Sequence, residues 1–311
     1  GNTAIYHDNL GVIYHGMNLL NIRVNEKALN SFLQYVFKTS SFLNIIKRNA
    51  QQAVNQCSIS TTTIKKLPIH IPSLPEQEKI ADFLATYDRM INVQSQRVEA
   101  MKTRKKGLLQ KIFSQEIRFK DDQGKDYPVW EKKRLMDCCI INPSSPKLPN
   151  KFIYIDLESV KSGRLLNTKV IQASEAPSRA QREVLKNDIL YQTVRPYQKN
   201  NFWVKTLENL PTIASTGYSI LRCNENIAGY IYYVVQNSKF LKVVLNRCTG
   251  GTYPAITGSE LGKINIPLPS LPEQQKMADF MTAMDAQIEV EEKRLETMKI
   301  IKKGLLQQMF I

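Results

Sequence analysis

Two stretches of the chain combine guanidinium and amide side chains as base-reading surfaces do, and the second also contains tyrosines. They are residues 178–182 and 191–199. Arg and Gln form paired hydrogen bonds with base edges, whereas Lys mostly anchors phosphate. The candidate nucleic-acid contacts are Arg179, Arg182, Tyr191, Gln192, Arg195, Tyr197 and Lys199. The first two could instead face a protein partner, and an ordinary solvated surface is the alternative for each residue.

A pair of glycines flanked by threonines could bring backbone amides close to a phosphate. The residues concerned are Thr249, Gly250, Gly251, Thr252 and Tyr253. Any tight turn also uses such glycines, so the motif alone is weak. Near the start of the chain, four basic residues are candidate phosphate contacts: Lys47, Arg48, Lys65 and Lys66.

Catalysis by this chain is not predicted. Residues 142–145 share only Asn-Pro with the Asn-Pro-Pro-aromatic motif that stacks on a flipped adenine, and a turn explains them better. No glycine-rich loop for a nucleoside cofactor and no phosphate-binding loop of a motor is present in the sequence. We therefore predict no catalytic residue, no metal site and no cofactor of its own.

The composition favours a polyanionic partner. The net charge is +15 over 311 residues, and both expected globular parts, residues 1–71 and 128–262, are basic. The five cysteines form no CxxC pair, which favours a reducing cytoplasm over a disulfide scaffold or a zinc site. No apolar run reaches the length of a membrane span.

The elements that position these residues are organised by an internal repeat. Residues 72–113 and 269–310 match at a constant offset of 197, with 24 of 42 positions identical. Each copy begins like a helix, with Ser73 three residues before Glu76 and Ser270 three before Glu273, a capping-box pattern. We predict helix starts near residues 74 and 271.

Apolar residues in each copy follow a four-three spacing, which predicts a coiled-coil seam. The seam consists of Ile80, Leu84, Tyr87, Ile91, Val98, Met101 and Leu108 in the first copy, and of Met277, Met281, Met284, Ile288, Leu295, Met298 and Leu305 in the second. An antiparallel pair would place Lys105 near Asp285 and Lys302 near Asp88. We therefore predict antiparallel helices. The alternative is two amphipathic helices packed separately on their own domains.

The repeat divides the chain into four segments. We predict the C-terminal part of a first domain at 1–71, a helix at 72–114, a linker and second domain at 115–268, and a helix at 269–311. We call residues 1–71 the first module and 115–268 the second module. Strand-like runs of the second module are followed by one helix-like stretch at 227–246. The first module matches only the later part of the second, so we expect it to be truncated at its start.

These features resemble the DNA specificity subunits of Type I restriction-modification systems. The resemblance rests on the paired helix entries at 71–77 and 268–274, the paired exits at 105–110 and 302–307, residues 116–119 with 130–135, and Gly250 to Thr252. It covers essentially the whole chain. The first module departs from the family at its truncated start and reads Gln-Gln-Ala-Val-Asn at 51–55 where a Gly-Gly-Thr element is expected.

The resemblance implies a non-catalytic cytoplasmic subunit with two target-recognition domains, each reading half of a split site in double-stranded DNA. The fold expected is mixed α/β, with the two domains joined by two long antiparallel helices. The implied partners are two methyltransferase subunits, which bring S-adenosylmethionine, and a restriction or translocase subunit, which uses ATP. The alternatives are a scaffold without DNA specificity and a DNA methyltransferase in its own right.

Overall fold

The computed structural model describes residues 3–6, 11–16, 19–53, 56–223 and 225–310. The chain divides into two compact units. Unit 1 contains residues 1–101 and 288–311, and unit 2 contains residues 102–287. This division cuts both long helices, so each unit contains one module together with parts of both helices.

Unit 1 is built from short helices and one hairpin. Its elements are α1 (Asn30–Val36), α2 (Ser40–Asn49), β1 (Gln51–Ala53), β2 (Gln56–Ser58) and α3 (Thr61–Lys65). The Thr39 hydroxyl accepts a hydrogen bond from the Phe42 amide and the Ser60 hydroxyl one from the Thr63 amide, so both α2 and α3 begin at a side-chain cap. Phe32 and Leu84 are buried in a core that also contacts Phe310 at the end of the chain.

Unit 2 contains two four-stranded sheets. The first has the order β11-β10-β13-β4 and is antiparallel. The second has the order β8-β5-β12-β9 with one parallel pair, β5 and β12. The strands are β3 (Glu131–Arg134), β4 (Cys139–Ile141), β5 (Lys151–Ile155), β6 (Val160–Lys161), β7 (Arg164–Leu165), β8 (Lys169–Gln172), β9 (Ala180–Val184), β10 (Ile189–Gln192), β11 (Phe202–Trp203), β12 (Thr212–Ser215), β13 (Tyr218–Cys223) and β14 (Asn265–Leu268).

The helices of unit 2 cover one face of the first sheet. They are α5 (Leu135–Cys138), α6 (Glu225–Gln236), α7 (Ser238–Leu245) and α8 (Gly258–Gly262). The stretch predicted as one helix at 227–246 is therefore two helices. Asn237 lies between them in an extended conformation, and its side chain accepts a hydrogen bond from the Lys239 amide, which starts α7 as a new helix.

The two long helices are α4 (Leu74–Phe113) and α9 (Leu271–Met309), 40 and 39 residues long. Their starts confirm the predicted positions. The predicted capping box at Ser270 is wrong, because its buried hydroxyl has no hydrogen-bond partner. Arg118 and the Trp130 indole bind the Glu273 carboxylate instead, at 2.8 and 2.9 Å.

The helices pair in antiparallel directions within each unit. In unit 1, Lys302 bonds Asp88 and the Gln94 amide donates to Glu291 Oε2 at 2.6 Å. In unit 2, Lys105 bonds Asp285. Both predicted ion pairs are confirmed, and the alternative of separately packed helices is wrong. The seam positions Leu84, Val98, Met277, Met281 and Ile288 are buried, and the remaining seam positions are half-buried.

One cysteine pair departs from the prediction that the chain has no disulfide. Cys139 on β4 and Cys223 on β13 are directly opposite in the antiparallel register and form a disulfide. The prediction relied on spacing along the sequence, whereas strand pairing brings together residues 84 positions apart. None of the helices in the described part of the chain has both the length and the apolar character of a membrane span.

Candidate nucleic-acid interface

Two of the segments predicted to contact nucleic acid, residues 191–199 and 249–253, meet at Arg195 and Tyr253. The Arg195 amide donates to the Pro254 carbonyl at 2.8 Å, and Val194 forms a β-bridge with Ala255. The Arg195 guanidinium lies 4.1 Å from the centre of the Tyr253 ring. Tyr253 is 61% exposed, whereas Arg195 is half-buried and its Nε is buried without a hydrogen-bond partner, so the pair lies at the surface mainly through the tyrosine.

The backbone on the Arg195 side is held in a tight turn. Residues 196–198 form a 3₁₀ turn, and both flanking residues, Arg195 and Lys199, are in the left-handed region with φ of 53° and 54°. Pro196 is buried and anchors the turn, whereas Tyr197 is 49% exposed. The turn therefore presents Arg195 and Tyr197 outward from a fixed backbone.

The Tyr253 side is a short hairpin. Thr249 and Ala255 exchange two backbone hydrogen bonds of 2.9 Å, and the residues between them, 250–254, form the loop. Gly250 has a φ of +89°, and a Cβ there would lie 2.9 Å from the Tyr253 carbonyl oxygen, so the loop requires glycine. Thr249, Gly250, Gly251 and Thr252 are all exposed.

Three of the residues predicted to contact DNA lie where they cannot readily reach it. Tyr191 and Gln192 are each 1% exposed. Tyr191 packs against Phe240, and the Gln192 amide donates to the Val194 carbonyl and to Gln198 Oε1. The Lys199 ammonium donates to the Gln236 carbonyl at 3.0 Å, and burial, with Lys106 nearby, lowers its pKa. These residues support the turn and do not face a ligand.

The other two basic candidates of this module lie at β9. Arg179 is exposed just before the strand, where its carbonyl accepts from the Thr216 amide at 2.8 Å. Arg182 is half-buried, and its Nε is buried without a hydrogen-bond partner. Among the described residues, no contact joins either side chain to the Arg195–Tyr253 pair.

Sequence reasoning missed the β6–β7 hairpin. The Ser162 amide donates to Asn200 Oδ1 at 3.1 Å, so this hairpin lies beside the turn that presents Arg195. An open cleft lies between them, lined in part by Glu158, Lys161 and Gln198. Lys161 is exposed. The sequence Lys-Ser-Gly-Arg at 161–164 indicates such a basic tight turn, and Gly163 in it has a φ of +80°.

In the first module, the four basic candidates lie at two neighbouring helix ends. Lys47 and Arg48 are in the last turn of α2, and Lys65 and Lys66 end α3. All four are exposed. Lys66 lines a shallow cleft together with Asn49 at the end of α2. Cations favour helix C-termini in any protein, so a structural contribution of these residues accompanies any role in binding.

The described residues contain no group of three or more His, Cys, Asp or Glu side chains that could hold a metal ion. The surface around Arg195 and Tyr253 carries basic, aromatic and amide groups on turns with a fixed backbone. Such a set can bind phosphates and base edges by charge, stacking and hydrogen bonds.

Comparison with known proteins identifies the family. The family model described as "Type I restriction modification DNA specificity domain" matches residues 1–102 and 127–299. The putative type I restriction enzyme MjaX specificity subunit of Methanocaldococcus jannaschii is 28% identical over 98% of this chain and 73% of its own length. The MjaVIII specificity subunit of the same organism is 25% identical over 78% of this chain and 61% of its own length.

Solved structures share the fold. One is described as the structural basis underlying complex assembly and conformational transition of the type I R-M system. It has a TM-score of 0.59 at 17% identity. It covers 93% of this chain and 73% of its own. The S subunit of a Type I restriction-modification system from M. genitalium has a TM-score of 0.58 at 18% identity, over 93% of this chain and 74% of its own. The chain therefore belongs to the family of Type I restriction modification DNA specificity domains, which is non-catalytic.

Proposed function

We propose that this chain reads a bipartite site in double-stranded DNA on behalf of catalytic partner subunits. The observation that carries the proposal is the duplication: two basic modules, each packed on the same kind of antiparallel helix pair, in a chain of the specificity family. A split site needs two readers, and a repeated architecture supplies them.

In the second module, we assign base reading to the stacked pair of Arg195 and Tyr253. The Arg195 guanidinium is a planar fork of donors that suits bidentate contact with guanine O6 and N7, and its contact with the Tyr253 ring restricts where the fork can lie. Tyr197 and Lys161 flank this pair at the surface, and the exposed amides of the 249–252 loop suit a phosphate.

In the first module, we assign phosphate contact to Lys47, Arg48, Lys65 and Lys66. Their ammonium and guanidinium groups are exposed at the ends of α2 and α3, where they can reach a DNA backbone without desolvating a buried charge. Phosphate contacts fix position, so these residues contribute affinity more than sequence choice.

We assign the spacing of the two half-sites to α4 and α9. Each runs without a break through both units. At about 1.5 Å per residue, a helix of this length spans about 60 Å, or roughly 18 base pairs of duplex. The length of the helices then sets the unspecified gap between the half-sites.

We assign partner docking to an apolar feature that the repeat duplicates. Phe83 and Phe280 occupy equivalent positions and are 44% and 38% exposed; Val93 and Val290 are 64% and 65% exposed. Exposed apolar side chains at matching positions suit two copies of one partner. These are the methyltransferase subunits, which supply S-adenosylmethionine, and a restriction or translocase subunit supplies ATP hydrolysis. The complex acts in the cytoplasm.

The test is DNA binding by the complex of this chain with its methyltransferase subunits. We expect sequence-selective binding that weakens steeply between about 50 and 200 mM salt. Arg195→Ala should relax selectivity at one base pair. Arg134→Ala, which removes an exposed guanidinium paired with Asp137, is the matched control and should leave selectivity unchanged. Equal affinity for all duplexes would refute the proposal.

A further inference from the structure

A three-residue cluster joins the first module to both long helices, in addition to the hydrogen bonds of the Gln77 side chain on α4 with the Leu29 amide and the Lys27 carbonyl. The Tyr35 hydroxyl on α1 donates to Asp88 Oδ2 on α4 at 2.9 Å. The Lys302 ammonium on α9 bonds the other oxygen of Asp88 and lies 5.4 Å from the centre of the Tyr35 ring. Each member therefore comes from a different helix. Lys38 lies 5.5 Å from the same ring, on the module side of the cluster.

The second module is joined to the helices by a cluster of the same composition. The Tyr233 hydroxyl on α6 donates to Asp285 Oδ2 on α9 at 2.8 Å. The Lys105 ammonium on α4 bonds the other oxygen of Asp285 and lies 5.4 Å from the centre of the Tyr233 ring. We call these two clusters the Tyr-Asp-Lys joints.

The two joints arise from the internal repeat. Asp88 and Asp285, like Lys105 and Lys302, are equivalent positions at the offset of 197, and the roles of α4 and α9 are exchanged between the joints. The tyrosines lie outside the repeated helices, at 4% and 3% exposure. The same contact geometry is therefore built twice, and Tyr35 and Tyr233 lie in the segment where the first module matches the later part of the second.

The tyrosines are held as hydrogen-bond donors. Burial raises the pKa of both Tyr35 and Tyr233, and the neighbouring aspartate raises it further. A protonated phenol beside an ionised carboxylate forms a short, directional bond. The apolar contacts around the joints stabilise the interface but have little preference for one angle of the module over another.

Orientation at the joint matters because a tilt there moves every other part of the module in proportion to its distance from the joint. A module of this size has a radius of gyration of about 13 Å and is roughly 34 Å across, so much of its surface lies about 20 Å from the joint. A tilt of about 10° would then move that surface by about 3.4 Å, the rise of one base pair. A joint that resists tilting therefore selects one gap length.

We infer that the Tyr-Asp-Lys joints are positioning sites that fix each module on the helix pair and thereby restrict the gap between half-sites to one length. This rests on the proposed function, because a gap exists only if both modules read DNA. The residues act through the modules and contact no base. Helix length sets which gap is preferred, and the joints set how strictly it is enforced.

The experiment measures methylation by the complete complex on DNA that carries both half-sites, with the gap varied one base pair at a time. The variants are Tyr35→Phe and Tyr233→Phe, each of which removes one hydroxyl and keeps the ring. Tyr154→Phe makes the same change at another buried tyrosine of the second module and serves as the control.

We expect each joint variant to raise methylation at neighbouring gaps, relative to the preferred gap, by about tenfold, which corresponds to ~1.4 kcal/mol. The bases required in each half-site should not change. Asp88→Ala combined with Tyr35→Phe should relax the gap little more than Asp88→Ala alone, because Asp88→Ala already removes the acceptor of the Tyr35 hydroxyl. The control should retain the wild-type gap profile.

Two kinds of failure are distinguishable. If the wild-type complex shows no sequence selectivity, the proposed function itself is refuted. If the wild type enforces one gap and the joint variants keep that profile, the joint inference is overturned. Lower total methylation with an unchanged profile also overturns it, because it would show a role in stability alone.

Discussion

The two glutamates that open the repeated helices offer a matched test of burial. Glu273 is completely buried and accepts hydrogen bonds from Arg118 Nε and Nη2 at 3.2 and 2.8 Å and from Trp130 Nε1 at 2.9 Å. Glu76 occupies the equivalent position of the first copy and is exposed. Glu273→Gln and Glu76→Gln therefore make the same change in opposite environments.

The expected change in the free energy of unfolding follows from the hydrogen bonds that Glu273→Gln weakens. A hydrogen bond to a charged group contributes about 1.5–3 kcal/mol, and Glu273→Gln weakens three such bonds while leaving the Arg118 charge without its partner. We expect a loss of roughly 3 kcal/mol in the free energy of unfolding. For a unit of this size that lowers Tm by about 6–12 °C. Glu76→Gln should stay within about 0.5 kcal/mol of wild type.

The assay is thermal and urea denaturation of the full chain, followed by circular dichroism and by tryptophan fluorescence, which reports on Trp130 and Trp203, both in unit 2. A second variant, Arg118→Met, leaves the buried Glu273 carboxylate without its charged partner. It should lower the free energy of unfolding by about 3–5 kcal/mol. The double variant should cost less than the sum of the single ones. Equal effects of Glu273→Gln and Glu76→Gln would refute the reasoning.

Three further predictions concern the interface, a buried phenol and the spacer. Tyr253→Ala and Arg195→Ala should each weaken DNA binding by about 1–3 kcal/mol in titrations, with a double variant well below additivity. Burial raises the pKa of Tyr232 from 10.0 to about 12, so stability should fall as pH rises from 10 to 12, and Tyr232→Phe should reduce that fall in urea titrations. Inserting one heptad after both Gln94 and Glu291 should lengthen the methylation gap by roughly 3 base pairs.

The long helices could be predicted from sequence because their signals are local and duplicated. The four-three spacing gave the seam, and the sign of the charges at Lys105 and Asp285 distinguished antiparallel from parallel pairing. Tyr233, which completes that joint, lies 52 residues from Asp285. No periodicity connects the two, so only the folded chain reveals the contact.

Only part of the interface could be predicted, because contacts between segments far apart in sequence leave no local signal. Residue types pointed to both loops, but the stacking of Arg195 on Tyr253 depends on a β-bridge between segments far apart in sequence. Tyr191 was wrongly placed at the surface because β10 lies between two other strands, and all four of its residues are buried. Burial on both faces of a strand leaves no alternation in the sequence to read.

The most direct test of the central claim is to sequence modified bases in DNA methylated by the complex of this chain with its methyltransferase subunits. Our account predicts one motif with two specified blocks separated by a gap of constant length. A contiguous motif, or two blocks at freely varying separation, would contradict it.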